Sequence, residues 1–283
     1  MAKTILVTGA TSGIGQETAR ELAGTGARVI VAARSEEKAR DTVASIRSST
    51  GNEQVDYLLA DFASLDQVRG LADRFSDRYD RLDVLINNAG AVFLRREESA
   101  DGYEMTFAVN HLAPFLLTNL LLDKLRASAP ARIVNVASDS HVNATLDLDN
   151  LQSEQDFSIM KTYGRSKLAN ILFTYELARR LDPGQVTANV LHPGFVSTGM
   201  GSNNVPGWVG GLFKGITSLF ARNVAQGAET VVFLADSPLV NGVSGKYFVD
   251  KEAVRSSNLS YDQTLARRLW EMSAEMVGLS PTI

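Results

Sequence analysis

The chain has 283 residues, 45% hydrophobic and 21% charged, with a formal net charge of −4. That balance suits a soluble protein with a sizeable core and offers no basic run for nucleic acid or an anionic membrane. There is no cysteine, which excludes disulfides, thiolate nucleophiles and Cys-ligated metal, and the histidines at 111, 141 and 192 lack metal-ligand spacing.

The opening "MAKTILVTGA" enters a strand at once. No signal-peptide core or spanning segment precedes it, and the longest apolar run, "FLLTNLLLDKL", is too short to cross a bilayer. The expectation is a soluble, cytoplasmic protein with no integral membrane segment. Further strands are expected in "ARVIVAAR", "VDYLLADF", "LDVLINNAG", "ARIVNVAS", "VTANVLHP" and "GKYFVD". These near-continuous apolar runs alternate with helical patterns, which implies βαβ units and a parallel sheet covered on both faces. Ser35 is an expected N-cap, Ser64 and Gln67 have capping-box spacing, and Gly24 and Gly26 close the first helix. No repeat or linker divides residues 1–283, so one domain is expected. "GMGSNNVPGWVGGLFKGITSLFARN" at 199–223 reads as a flap over a site.

The first strand runs into "TGATSGIGQETARELA", a glycine loop opening a helix. Gly9 permits a tight turn, Gly13 lets the backbone approach a pyrophosphate, and Gly15 lets the helix pack on the strand. The helix N-terminus offers N–H groups and partial positive charge to the anion. At the end of the second strand, "VAARSEEK" has Ala33 where an NAD-binding domain usually carries an acid, followed by Arg34. A guanidinium there suits a 2′-phosphate, so the expected cofactor is NADP(H).

Tyr163 and Lys167, in "KTYGRSKLANILF", are one helical turn apart. With "TGATSGIG", "NNAG", "VNHLAPF", "NVASDSH", "YGRSK" and "HPGFVST" in this order, the chain resembles the short-chain dehydrogenase/reductases over nearly its whole length. "SKLANILFTYELARRL", "LDLDNLQSEQDF" and "ARRLWEMS" resemble the retinol-dehydrogenase-like and WW-domain-oxidoreductase-like branch. That resemblance implies a single-domain Rossmann fold of class α/β, with a doubly wound, mostly parallel seven-stranded sheet and helices on both faces.

It also implies roles. Tyr163 would be the acid or base. Lys167 would bind the nicotinamide ribose and lower the tyrosine pKa. Ser138 would polarise the substrate oxygen, and Asn110 would hold a water leading from Lys167 to solvent. Thr11, Ser12 and Ile14 join the three glycines in the cofactor loop. Asp61 and Phe62 would flank the adenine, with Asn87, Ala89 and Gly90 on the ribose side. Pro193, Gly194, Val196 and Thr198 would hold the nicotinamide end. Coulomb's law supports the pairing: an ammonium about 4 Å away at an effective dielectric of about 20 is worth roughly 4 kcal/mol, or about three pKa units.

The insertion "LDLDNLQSEQDF" between Ser138 and Tyr163 is expected to rim the substrate pocket. His141 reads as a loop histidine without a catalytic partner, and His192 as serving the backbone before Pro193. The apolar surplus of the helices at 103–125 and around Tyr163 suggests a homodimer or homotetramer. The expected activity is NADP-dependent interconversion of a hydrophobic alcohol and its aldehyde or ketone. The alternative is a catalytically idle scaffold that senses NADPH.

Overall fold

The computed structural model describes residues 2–194 and 224–282. Eight strands form one sheet: β1 (Thr4–Thr8), β2 (Arg28–Ala33), β3 (Val55–Leu59), β4 (Val84–Asn87), β5 (Ala131–Val136), β6 (Val186–Leu191), β7 (Tyr247–Val249) and β8 (Glu252–Val254). Their order is β3-β2-β1-β4-β5-β6-β7-β8, and every pair is parallel except β7–β8. Order reverses between β1 and β4, which opens a crevice beyond their carboxyl ends.

Side-chain alternation divides the core between the faces. Leu6, Ile30, Leu58 and Leu85 join one cluster, while Val7, Val31 and Ile86 join the other. Helices α1 (Gly13–Gly24), α2 (Glu36–Thr50) and α8 (Val224–Asp236) supply residues to the second cluster. On the other face lie α3 (Leu65–Arg78), α4 (Met105–Phe107), α5 (Ala113–Leu120), α6 (Leu122–Ala127), α7 (Ile159–Arg180) and α9 (Gln263–Met276). Ser35 Oγ accepts from Lys38 N and Ser64 Oγ from Gln67 N, as the caps require. Gly26 takes the left-handed conformation (φ 84°) that ends α1.

The sheet has one strand more than the seven expected. β8 returns antiparallel through Asp250 and Lys251, both at positive φ, a two-residue hairpin turn built without glycine. Three exposed residues after such a turn carry no apolar pattern. A second difference concerns α5 and α7. Their apolar surplus is covered within the chain by α9, where Trp270 meets Phe115 edge-on at 4.9 Å and stacks on Phe173 at 5.8 Å.

Candidate functional site

A cleft of about 660 Å³ lies at the crevice and gathers most of the residues singled out from sequence. Gly9, Thr11, Ser12, Gly13, Ile14 and Gly15 form one wall, with Arg34, Asp61 and Phe62 at the far end. Ala89, Gly90, Ser138, Tyr163, Lys167, Pro193 and Gly194 complete it. Val196, Thr198 and the expected flap at 199–223 lie outside the described residues.

The glycine loop fits an extended phosphate-bearing ligand, and its geometry says why. Gly9 has φ 63°, and a Cβ there would sit 2.8 Å from Ala89 Cα. A Cβ on Gly15 would fall 2.4 Å from Gly9 O and 2.3 Å from Asn88 Nδ2. Helix α1 therefore begins hard against β1 and β4, and the Ser12 hydroxyl does not cap it. The loop is pinned from below by Thr8 Oγ1, which accepts from Asn88 N (3.0 Å) and Ala89 N (2.9 Å). Asn88 Nδ2 returns a bond to Thr8 O at 2.8 Å. Thr8 and Asn88 were missed by motif reading; their adjacency to Gly9 and Ala89 was the available signal.

Asn87 departs from expectation. Its side chain is buried and donates to Thr118 Oγ1 (2.9 Å) and Asn135 Oδ1 (2.8 Å), so it braces the sheet and does not line the cleft. Strand alternation sends neighbouring side chains to opposite faces, and it is Asn88 that reaches the cleft. At that far end, Arg34 is exposed and makes no ion pair among the described residues, while Glu36 is taken by Arg40 at 2.7 Å. Lys38, one helical turn on, lines the same end and adds a cation that motif reading omitted.

The catalytic end is assembled by contacts distant in sequence. A Cβ on Gly164 would lie 2.7 Å from Ser140 O, so this glycine lets α7 press on the turn after β5. That approach brings Tyr163 into a hydrogen bond with Ser138. Ser138 Oγ also donates to Asp139 Oδ1 at 3.0 Å, and Asp139 N donates to His192 Nδ1 at 3.2 Å. The His192 side chain thus ties the Asp139 backbone to the segment before Pro193, and it lines the cleft as well. Lys167 is buried, donates from Nζ to Val136 O at 3.2 Å, and stands 5.5 Å from the centre of the Tyr163 ring.

Burial governs both side chains. Burial pushes Tyr163 up to about 12, against the Ser138 hydrogen bond and with help from Asp139. Burial also lowers Lys167 to about 8. Loss of water around the phenolate is the largest cause for Tyr163, while the Lys167 ammonium is turned to a backbone carbonyl and has its own charge disfavoured. Burial thus adds to the preference that any phenol already has for its protonated form at neutral pH.

Asn110 sits in a single π-helical turn, Ala108–Leu112, of the kind often found at functional sites. Its Oδ1 accepts from Ala91 N at 2.8 Å, and its Nδ2 donates to Ala91 O and to Ser166 Oγ, each at 3.0 Å. The side chain clamps the loop after β4 to α7 and does not reach the cleft. The insertion at 146–157 likewise contributes no lining residue. It is anchored to α7 by Arg165, whose Nη1 donates to Asn150 O (2.6 Å) and Ser153 Oγ (3.0 Å).

The family model described as short chain dehydrogenase matches residues 3–207. Human retinol dehydrogenase 14 is 44% identical over 98% of this chain and 87% of its own length. Human polyprenol dehydrogenase is 39% identical over 98% of this chain and 86% of its own. Among solved structures, a variant of actinorhodin polyketide ketoreductase with NADPH is similar at a TM-score of 0.70. It is 28% identical, over 87% of this chain and 95% of that one.

Proposed function

The chain belongs to the short-chain dehydrogenase family, in its retinol-dehydrogenase-like branch, and from that premise we propose an NADP(H)-dependent oxidoreductase that interconverts a hydrophobic alcohol and its carbonyl. The observation that carries the reading is the meeting of Ser138, Tyr163 and Lys167 at one end of the cleft whose other end is the glycine loop. Bound there, the nicotinamide supplies or takes the hydride. The pyrophosphate would be held by backbone at Gly13–Gly15, and a 2′-phosphate by Arg34 and Lys38.

Tyr163, a phenol that is protonated at neutral pH and pushed further that way by burial, gives its proton to the oxygen of a bound carbonyl. Ser138 orients that oxygen, and its hydroxyl turns from Asp139 to do so. Lys167, fixed by Val136 O, holds the ribose side and restores charge balance as the phenol loses its proton. A hydrophobic substrate is supported by Phe93, Val109 and Met160 in the cleft wall and by Leu94 and Val142, exposed at 44% and 58% nearby in sequence.

The test is a panel of apolar aldehydes and ketones offered with NADPH or NADH and followed by absorbance. The reading expects turnover, faster with NADPH and rising with the apolar length of the carbonyl. Tight NADPH binding without turnover of any member would leave a binding protein in its place.

A further inference from the structure

Two buried histidines, on two different catalytic elements, point at the same C-terminal segment. His141 follows Ser138 in the turn after β5. Its Nδ1 lies 2.7 Å from Ser138 O, and its Nε2 lies 3.1 Å from Ser257 N. A carbonyl only accepts and an amide N–H only donates, so the proton is on Nδ1 and Nε2 accepts. His111 lies in the π-helical turn beside Asn110. Its Nδ1 is 3.2 Å from Asn170 Oδ1, and its Nε2 is 2.9 Å from Ser273 Oγ. Asn170 Nδ2 donates to Asn110 O at 2.9 Å, which fixes the amide's orientation. Hence His111 also donates from Nδ1, and its Nε2 accepts from the serine hydroxyl.

Both chains of bonds therefore run one way. Each starts at a donor between 257 and 273, passes through a neutral imidazole, and ends on a backbone carbonyl, that of Ser138 or of Asn110. One such chain could be ordinary core pairing. Two that end on the catalytic serine and on the π-helical turn have a common consequence: where the C-terminal segment sits sets where those residues sit.

We propose that residues 257–273 act as a brace that positions Ser138 and the Asn110 turn through His141 and His111, both as positioning residues. The inference rests on the oxidoreductase reading above. Small displacements at Ser138 are costly, because a misplacement of about 1 Å can lower turnover by about a hundredfold.

The backbone supplies a clean test. Ser257 has φ −59°, an angle proline adopts, so Ser257→Pro removes the N–H that His141 accepts from without forcing the chain. His141→Asn keeps a donor for Ser138 O but cannot reach residue 257. Ser273→Ala removes the other donor. Tyr103→Phe is the control, since it deletes a 2.7 Å bond to Met276 O that ties down the end of α9, just past the brace, without passing through a histidine.

With a carbonyl that the wild type reduces, kcat is expected to fall about ten- to a hundredfold in Ser257→Pro and His141→Asn, and less in Ser273→Ala. NADPH affinity stays unchanged in all three, and the double variant at 141 and 257 is no worse than either single one. Tyr103→Phe lowers Tm but leaves kcat unchanged. If kcat in the bridge variants stays within about twofold of the control at equal loss of Tm, or if the 141 and 257 effects simply add, the brace is refuted. A wild type that reduces no carbonyl would instead refute the reading of the site.

Discussion

The two ends of the cleft are built by different means. The cofactor end is backbone: Gly9, Gly13 and Gly15 in one short loop, closed by Thr8 and Asn88 from adjacent strands. The end that holds Ser138, Tyr163 and Lys167 is side chains from the turn after β5 and from α7, packed on elements held by hydrogen bonds spanning more than a hundred residues, such as His141 to Ser257 and His111 to Ser273. A backbone site depends on steric room, whereas a side-chain site depends on partners keeping their places.

One glycine at each end separates these dependences. Gly15→Ala puts a methyl on Gly9 O and Asn88, which overpacking prices at about 1–3 kcal/mol. NADPH affinity is expected to fall by up to about a hundredfold, read by fluorescence titration. Gly164→Ala should do the reverse, lifting α7 from Ser140 O so that kcat falls about tenfold or more while NADPH binds as before. If both variants lose binding and turnover in parallel, the two ends are one unit and the contrast fails.

A smaller effect is expected from charge at the cofactor end. Arg34→Ala should cost about tenfold in NADPH affinity and nothing in NADH affinity, within the usual worth of a hydrogen bond to a charged group. Equal losses for the two cofactors would show that Arg34 does not face the 2′-phosphate. Smallest, at the catalytic end, is an effect of acid on stability. Burial lowers His111 from 6.5 to about 4 and lowers His141 in the same direction, so both are neutral in the fold. The unfolded chain takes up their protons first. The His111 contribution is therefore full above pH 6.5 and lost as pH falls towards 4, and His141 acts in the same direction. The urea midpoint should drop between pH 7.5 and 5.0; a midpoint that rises would contradict neutral imidazoles in the fold.

The same contrast explains what the sequence reveals. Seven strands, the glycine loop and the caps at Ser35 and Ser64 are local patterns, legible because each needs only its neighbours. What escapes is set by distant residues. Asn87 and Asn88 are indistinguishable until strand pairing shows which faces the cleft. The upward push on Tyr163 comes from burial that no spacing encodes. The aromatic partner of Phe115 and Phe173 is Trp270 on α9, too far along the chain for any local pattern to place it there.

The central claim is that a buried, protonated Tyr163 delivers the proton in carbonyl reduction. It is tested most directly by NADPH oxidation in Tyr163→Phe beside the wild type, with a carbonyl that the wild type reduces. The account predicts a loss of about 10²–10⁴-fold in kcat, the usual worth of general acid catalysis, with NADPH affinity unchanged. Turnover within a few-fold of wild type would contradict it.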